Sequence, residues 1–197
     1  RWQQARDDFR RAAELAPDQG VVHQNLATAC VRQERWQEAA EALANVVASS
    51  PAWRSQYELA LCCLAAGNLD CYRGICARMA DENIPTEDPL QTGFTAWTCA
   101  LAPDAIDDYG PLITATAKAA QRSQSEPQLQ TKLGALLYRA GRYGEALDIL
   151  ATHDQGTEAD ARAPTSPAYA WYFLAMTHQA LGHQQQARDV LSRADRW

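Results

Sequence analysis

The chain repeats itself at a fixed interval. Four small or apolar residues return 34 positions later, in the same order: Ala5, Phe9, Ala12 and Pro17 recur as Ala39, Leu43, Val46 and Pro51. A period of this length is typical of stacked helical hairpins, in which each unit is two helices joined by a turn. One hairpin cannot bury both faces of its helices, so the period predicts an array in which each unit packs on its neighbours.

The same pattern returns late in the chain with a longer interval. Five positions recur at an offset of 41: Leu133, Gly134, Gly141, Ala146 and Leu150 return as Leu174, Ala175, Gly182, Ala187 and Leu191. This offset is one 34-residue unit plus seven inserted residues. The segment 154–167 is rich in Asp, Gly, Thr, Ala and Pro, and we predict that the insertion lies there as a surface loop.

Composition favours an all-α fold and excludes some partners. Hydrophobic residues make up 47% of the chain and aromatic residues only 8%, and alanine and leucine dominate, which suits close helix packing. The net charge of −6 argues against nucleic-acid binding, which needs a surplus of lysine and arginine, and it favours basic peptide partners. No apolar run approaches the roughly 20 residues that span a bilayer, so no membrane contact is expected for this segment.

The ends of the chain lie inside helical patterns. The sequence begins at Arg1 without a signal peptide and ends at Trp197, so we interpret it as a segment of a longer protein. We predict a cytoplasmic location, although other parts of the parent could carry a membrane anchor. The predicted organisation is one array over 1–197, divided into a truncated repeat (1–19), two repeats (20–52 and 53–82), an irregular repeat (83–126), a repeat (127–153), the loop insertion (154–167) and a last repeat (168–197).

These positions resemble the tetratricopeptide repeat family, in which small and large apolar residues alternate across a hairpin that a proline often ends. The resemblance is clearest around Leu26 to Pro51, Leu133 to Leu150 and Trp171 to Ala194. It implies a right-handed α-solenoid of about eleven stacked, antiparallel helices. Family geometry also implies that the first helix of each hairpin lines a concave groove that binds protein or peptide partners.

One stretch of the irregular repeat is similar to a second group of proteins. Residues 96–103, Ala-Trp-Thr-Cys-Ala-Leu-Ala-Pro, are followed by Asp107, Asp108 and Tyr109. This phrase resembles an irregular repeat in the tails of large bacterial multidomain proteins that carry a Ser/Thr kinase or WD-repeat region. The resemblance implies a signalling or scaffolding parent.

Carried over to this sequence, the groove positions form a candidate partner-binding set. The main candidates are Asn25, Arg32, Arg54, Tyr57, Lys132, Tyr138, Arg139, Tyr169 and Tyr172, and further inner-face positions are Gln24, Thr28, Leu61, Thr131, Phe173 and Met176. Three interpretations remain open. Asn25, Lys132 and Arg139 match parts of a clamp for a partner's C-terminal carboxylate, the tyrosines suit an aromatic groove with anchoring rings, or the tyrosines fill gaps between hairpins.

The residues that carry chemistry do not assemble into an active site. Cysteines cluster in one stretch without a Cys-x-x-Cys pair, and Cys62 and Cys63 point about 100° apart on a helix, so we expect reduced, buried thiols rather than zinc ligands or disulfides. His178 and His183 are five residues apart, which predicts different helix faces. We expect Asp104, Asp107 and Asp108 to be solvated aspartates of a surface loop. We therefore expect no metal, no cofactor and no enzymatic activity.

Two functions follow from these observations. The first is a protein-interaction scaffold that holds a peptide or protein segment in its groove. The alternative is a structural spacer or an intramolecular regulatory module, whose groove docks against another domain, such as a Ser/Thr kinase, of the same polypeptide.

Overall fold

The described part of the chain is all-α, as predicted. A computed structural model describes residues 1–83, 88–123, 128–157 and 167–196, and these residues form eleven helices and no strand. The helices are α1 (Trp2–Leu15), α2 (Gly20–Val31), α3 (Trp36–Ser49), α4 (Trp53–Ala65), α5 (Leu69–Asn83), α6 (Pro89–Ala100), α7 (Gly110–Arg122), α8 (Gln128–Arg139), α9 (Tyr143–Thr157), α10 (Ala168–Ala180) and α11 (Gln184–Asp195).

The chain divides into two compact units, Arg1–Glu82 and Asn83–Trp197. In the first unit, α1 packs on α2, α2 on α3 and α3 on α4, so consecutive helices are neighbours. Small residues allow this close packing, since Ala39 and Ala60 are completely buried. No helix in the described ranges combines the length and the apolar character that crossing a membrane would require.

The second unit contains three hairpins whose first helices lie side by side. The helix pairs α6–α7, α8–α9 and α10–α11 are in contact, and α8 also contacts both α6 and α10. The first helices α6, α8 and α10 therefore form one layer. The second helices α7 and α9 pack against the next first helix, α8 and α10 respectively.

Four hairpin turns share the same backbone conformation at the end of the first helix. A residue with positive φ follows the first helix at Glu34 (φ 56°), Gly67 (φ 72°), Gly141 (φ 73°) and Gly182 (φ 80°). In each case the amide of the next residue donates a hydrogen bond to the carbonyl five residues earlier. Arg142 N–H donates to the Leu137 carbonyl at 2.9 Å, and His183 N–H donates to the His178 carbonyl at 2.9 Å. This bond ends the helix by satisfying one of its last carbonyls.

The irregular repeat keeps two helices because Pro103 lies in the connection between them and Pro111 lies in the first turn of the second helix, where proline is tolerated. The Asp88 side chain accepts a hydrogen bond from Leu90 N–H at 2.9 Å, and Pro89 occupies the first turn, so α6 begins there. Residues 101–109 form the connection. The buried Tyr109 hydroxyl accepts from Ala105 N–H at 3.1 Å and donates to the Cys99 carbonyl at 3.5 Å. Burial raises the pKa of Tyr109, so this donor is retained at neutral pH.

One helix crossing depends on glycine. A Cβ at Gly134 in α8 would lie 2.5 Å from Leu150 Cγ in α9. Leu150 is completely buried, so its side chain fills the space that the glycine leaves. The recurring small residue of the sequence pattern is thus the point of closest approach within this hairpin.

Two predictions from the sequence differ from the structure, one about the cysteines and one about the start of the inserted loop. Cys63 and Cys71 form a disulfide with Cα atoms 5.8 Å apart, so the expectation that all cysteines are reduced is wrong for this pair. The bond is feasible because the α4–α5 turn brings the two helices together at these positions. Cys30, Cys62, Cys76 and Cys99 are buried thiols, and burial raises the pKa of Cys62 to about 11. Residues 154–157, predicted as loop, continue α9, while 158–166 lie outside the described residues.

Candidate protein-interaction surface

Aromatic side chains from several helices meet in the second unit. The Trp97 ring of α6 lies 5.1 Å from Tyr169 and 6.0 Å from Phe173, both in α10, in edge-to-face arrangements. Tyr138 of α8 lies 6.0 Å from Phe173 and 5.6 Å from Tyr143 at the start of α9. We call Trp97, Tyr138, Tyr169 and Phe173 the aromatic face, because they lie on the layer of first helices.

Small residues on the middle helices allow these rings to meet. Ala135 in α8 is completely buried, in a helix that contacts both α6 and α10. Gly93 in α6 is also needed for close approach, since a Cβ there would lie 2.9 Å from Lys132 Nζ and 3.1 Å from Leu129 Cδ2. The small residues therefore set the spacing between α6 and α8.

Two predicted cations lie over aromatic rings of this surface. Lys132 Nζ is 5.5 Å from the centroid of Phe94, and the Arg139 guanidinium is 5.5 Å from Tyr138 and 5.6 Å from Phe173. Such contacts stabilise a cation by roughly 0.5–2 kcal/mol, depending on desolvation.

Arg139 also has a second role. Its Nε donates to the Ala100 carbonyl at 2.7 Å and its Nη2 to the Leu101 carbonyl at 3.2 Å. These carbonyls belong to the C-terminal end of α6, where a cation is favourable. The side chain therefore ties α8 to α6 and positions both rings that it covers. Its proposed place in a carboxylate clamp remains a prediction.

Two tyrosines of the predicted set, both in α10, are exposed. Tyr169 is 51% exposed and Tyr172 is 38% exposed. The Tyr172 hydroxyl donates to Asp195 Oδ1 at 3.1 Å, and this hydrogen bond raises the pKa of Tyr172. Tyr169 packs its edge on Trp97 while half of its surface stays open, so this tyrosine both packs within the unit and offers contact area.

The other four predicted residues lie in the first unit. Asn25 is exposed, and Tyr57 is half-buried. The guanidinium of Arg32 lies 5.7 Å from the Trp2 ring, and that of Arg54 lies 4.9 Å from Trp53. They remain a predicted part of the binding surface.

Sequence reasoning did not select Phe94 and Trp97 as surface residues. The signal was present, because Gly93 and Trp97 precede Gly134 and Tyr138 by the same 41 positions that relate the later repeats. Pro103 and Pro111 interrupt the helical spacing of this segment, which is why the repeat over 83–126 was predicted to be irregular. In the structure both prolines fall outside the interior of α6.

The histidine prediction was wrong in its geometry. His178 and His183 were expected on different faces, but their Nδ1 atoms are 3.3 Å apart. The reason is that α10 ends at Ala180 and the turn at Gly182 folds His183 back over the helix end. Within the described ranges, no three His, Cys, Asp or Glu side chains converge in a way that could hold a metal ion.

The chain shares its fold and part of its sequence pattern with known proteins. Residues 25–70 match the "Tetratricopeptide repeat" family model. No curated protein sequence matches the chain. The solved structure of a tetratricopeptide repeat protein from Parabacteroides merdae is 13% identical, covers 98% of this chain and 71% of its own, and superposes with a TM-score of 0.60.

Two further solved structures give the same result. A putative kinesin light chain from Podospora anserina with nearly identical TPR-like repeats is 20% identical, with a TM-score of 0.58 over 91% of this chain and 94% of its own. YrrB, described as a TPR protein with an unusual peptide-binding site, is 13% identical, with a TM-score of 0.52 over 94% of this chain and 90% of its own. At these identities the likeness shows a shared fold. Residues 25–70 therefore carry the tetratricopeptide repeat pattern, and the described residues share the fold of solved tetratricopeptide repeat proteins.

Proposed function

We propose that the protein is an interaction scaffold whose aromatic face binds a peptide segment of a partner protein. The observation that carries this proposal is the contact of Trp97, Tyr169 and Phe173 between two first helices, with half of the Tyr169 surface exposed. Tyrosine and tryptophan at the centre of an interface contribute much binding free energy because they bury large rigid surfaces.

The chemistry of this face favours an extended segment with apolar side chains. Tyr169, Trp97 and Tyr138 supply the accessible apolar area above the buried Phe173, and the tyrosine hydroxyls and the Trp97 indole N–H can donate hydrogen bonds to a peptide backbone. Arg139 is bonded to the end of α6, so the rings it covers are held in place before binding, which lowers the entropic cost of association. A peptide-binding site is part of the description of YrrB, which shares the fold.

The predicted residues of the first unit extend the proposal. Gln24 Nε2 donates to Glu58 Oε2 at 2.7 Å, so a side chain of α2 reaches one of α4, the first helices of two successive predicted repeats. Asn25, Arg32, Arg54 and Tyr57 are proposed to contribute polar and aromatic contacts there. Arg32 and Arg54 already stack on tryptophans, which limits their freedom before binding.

The test begins with selection of peptides on the purified full chain from a random displayed library. The selected peptide is then titrated against the unmutated chain, Tyr169→Ala and the control Leu15→Ala, which shortens an 87% exposed apolar side chain of α1 that is not among the predicted binding residues. We expect Tyr169→Ala to weaken binding about 10- to 30-fold, the loss of a hot-spot side chain of about 1.4–2 kcal/mol. Leu15→Ala should leave the affinity unchanged.

Two results would overturn the proposal. If the unmutated chain selected no group of related peptide sequences from the library, this would argue against a peptide-binding surface. Equal affinities for the parent and Tyr169→Ala, with thermal unfolding unchanged, would show that the peptide binds away from the aromatic face.

A further inference from the structure

Two histidine rings meet at the turn between α10 and α11. The Nδ1 atoms of His178 and His183 are 3.3 Å apart, and the ring centroids are 5.5 Å apart. The two nitrogens therefore lie on the ring edges that face each other. His183 is exposed and His178 is half-buried, so an ion in solution can reach the pair.

The backbone of the turn holds the two histidines in this arrangement. His183 N–H donates to the His178 carbonyl at 2.9 Å, and Gly182 takes the positive φ of 80° that closes the turn. Residues joined by such a bond at a helix end commonly make a side-chain contact. The contact is formed before any ligand binds, and this preorganisation lowers the cost of binding one.

The other three turns with this backbone conformation have different residue types at the same two positions. The corresponding bond joins Arg35 to Cys30, Asn68 to Cys63 and Arg142 to Leu137. The turn therefore forms without histidine in the other hairpins. The histidine pair is a feature of the last hairpin and not a requirement of the repeat.

The separation of the two nitrogens matches that of two ligands on one metal ion. Zinc binds imidazole nitrogen at about 2.0–2.1 Å and adopts tetrahedral geometry in proteins. Two nitrogens at this distance, with the tetrahedral angle of about 109° between them, are about 3.3–3.4 Å apart. The observed 3.3 Å lies in this interval, so the two nitrogens already have the spacing that the ion requires.

From this geometry we infer that His178 and His183 form a binding site for a divalent transition metal ion of the zinc class, coordinated through both Nδ1 atoms. Imidazole nitrogen suits zinc, copper and nickel, whereas Mg²⁺ and Ca²⁺ require oxygen ligands. Each ring then carries its proton on Nε2, and two bonds to the ion replace the contact between the Nδ1 atoms.

The site supplies half of a tetrahedral ligand set. Within the described ranges, no third His, Cys, Asp or Glu side chain joins the pair, so the remaining coordination positions are open to water. The expectation from the sequence that no metal binds rested on placing the two rings on different helix faces. The turn at Gly182 removes that reason, because it brings His183 back to His178.

This inference does not depend on the peptide-binding function proposed above. Neither histidine belongs to the aromatic face, and neither is among the predicted groove residues. Loss of metal binding in a histidine variant would leave the peptide affinity as it is, and Tyr169→Ala would leave metal binding as it is. The two proposals can therefore fail separately.

The experiment measures zinc binding to the untagged full chain, because a histidine tag would itself bind the ion. Zn²⁺ is titrated into the chain by isothermal titration calorimetry in a buffer that does not bind zinc. We expect saturable binding at a ratio of about one ion per chain, which His178→Gln and His183→Gln each weaken by about tenfold or more. The control His153→Gln, which replaces a histidine elsewhere in the sequence, should leave the affinity unchanged.

A second measurement identifies the atoms that bind the ion. The ring nitrogens of isotope-labelled histidine are followed by NMR with and without Zn²⁺. We expect the Nδ1 signals of both His178 and His183 to shift, and both rings to take the tautomer with the proton on Nε2.

Three outcomes would overturn the inference. Absence of saturable Zn²⁺ binding to the unmutated chain would show that the pair is only a contact between two rings. Equal affinities for the unmutated chain and both histidine variants would place the ion elsewhere, such as at the cysteine thiols. Coordination through Nε2, or through one ring alone, would contradict the geometry on which the site rests.

Discussion

At the residue scale, Glu34 is the exception among the four equivalent turn positions, because the other three are glycines. It adopts φ 56°, where a side chain meets its own backbone and an L-residue is strained by roughly 1–2 kcal/mol. Glu34→Gly removes this strain at a smaller entropic cost. We expect the variant to stabilise the first unit by about 0.5–1 kcal/mol, measured as a higher midpoint of thermal unfolding.

The control for this prediction is Glu34→Ala, which removes the carboxylate and keeps the Cβ. It should gain none of the stability, because alanine is strained at the same φ. An equal gain in both variants would assign the effect to charge and contradict the backbone explanation.

His178 gives a pH-dependent prediction at the same scale. Burial, followed by the nearby His183, lowers the pKa of His178 below its ordinary value of 6.5. Between the folded and unfolded pKa values the unfolded chain binds more protons, so the free energy of unfolding falls as pH drops below 6.5 and levels off below the folded pKa. His178→Gln should flatten this dependence in thermal unfolding between pH 5 and 7, roughly the interval in which histidine titrates. An unchanged slope would refute the assignment.

At the element scale, the α8–α9 crossing predicts a large effect from one methyl group. Gly134→Ala would place a Cβ 2.5 Å from Leu150 Cγ and force the hairpin apart. We expect a loss of about 1–3 kcal/mol in the free energy of unfolding, measured by denaturant titration.

The matched control is Gly74→Ala in the middle of α5. A Cβ there meets nothing within 4 Å, so helix propensity alone acts and the variant should gain up to about 1 kcal/mol. A lower stability for Gly134→Ala together with a higher stability for Gly74→Ala would show that the helix crossing, and not helix propensity, causes the loss at Gly134. If both variants were stabilised, the crossing would not be limited by Gly134.

The helices could be predicted from the sequence because the residues that recur along the chain are also the residues that make the packing contacts within each hairpin. Ala39, Gly134 and Leu150 recur because each hairpin needs small and large residues at the same crossing, so the sequence pattern reports contacts directly. Contacts between hairpins were harder to predict, because they leave no recurring pattern in the sequence. The Arg139 bonds to Ala100 and Leu101 join positions 39 and 38 residues apart, and a helical period carries no signal for such a contact.

The same limit applies to the site. Tyr138 and Tyr169 could be selected from their register, but the contact of Tyr169 with Trp97 depends on the spacing of α6, α8 and α10, which side-chain volumes set. His178 and His183 were misplaced because a straight helix was assumed across a turn. The Cys63–Cys71 bond was missed for a related reason, since the turn at Gly67 brings together residues eight positions apart.

At the scale of the whole molecule, the division at residue 82 predicts which part of the chain folds by itself. The contacts that define the aromatic face all lie within residues 83–197, as do the Arg139 bonds and the Gly134 crossing. A fragment of residues 83–197 should therefore be helical and unfold cooperatively, as judged by circular dichroism. Residues 110–197 lack α6, so Arg139 loses its carbonyl partners and Tyr169 loses the Trp97 ring, and this shorter fragment should melt at a lower temperature. A fragment 83–197 without a cooperative transition, or equal melting of the two fragments, would mean that α6 does not stabilise this unit through these contacts.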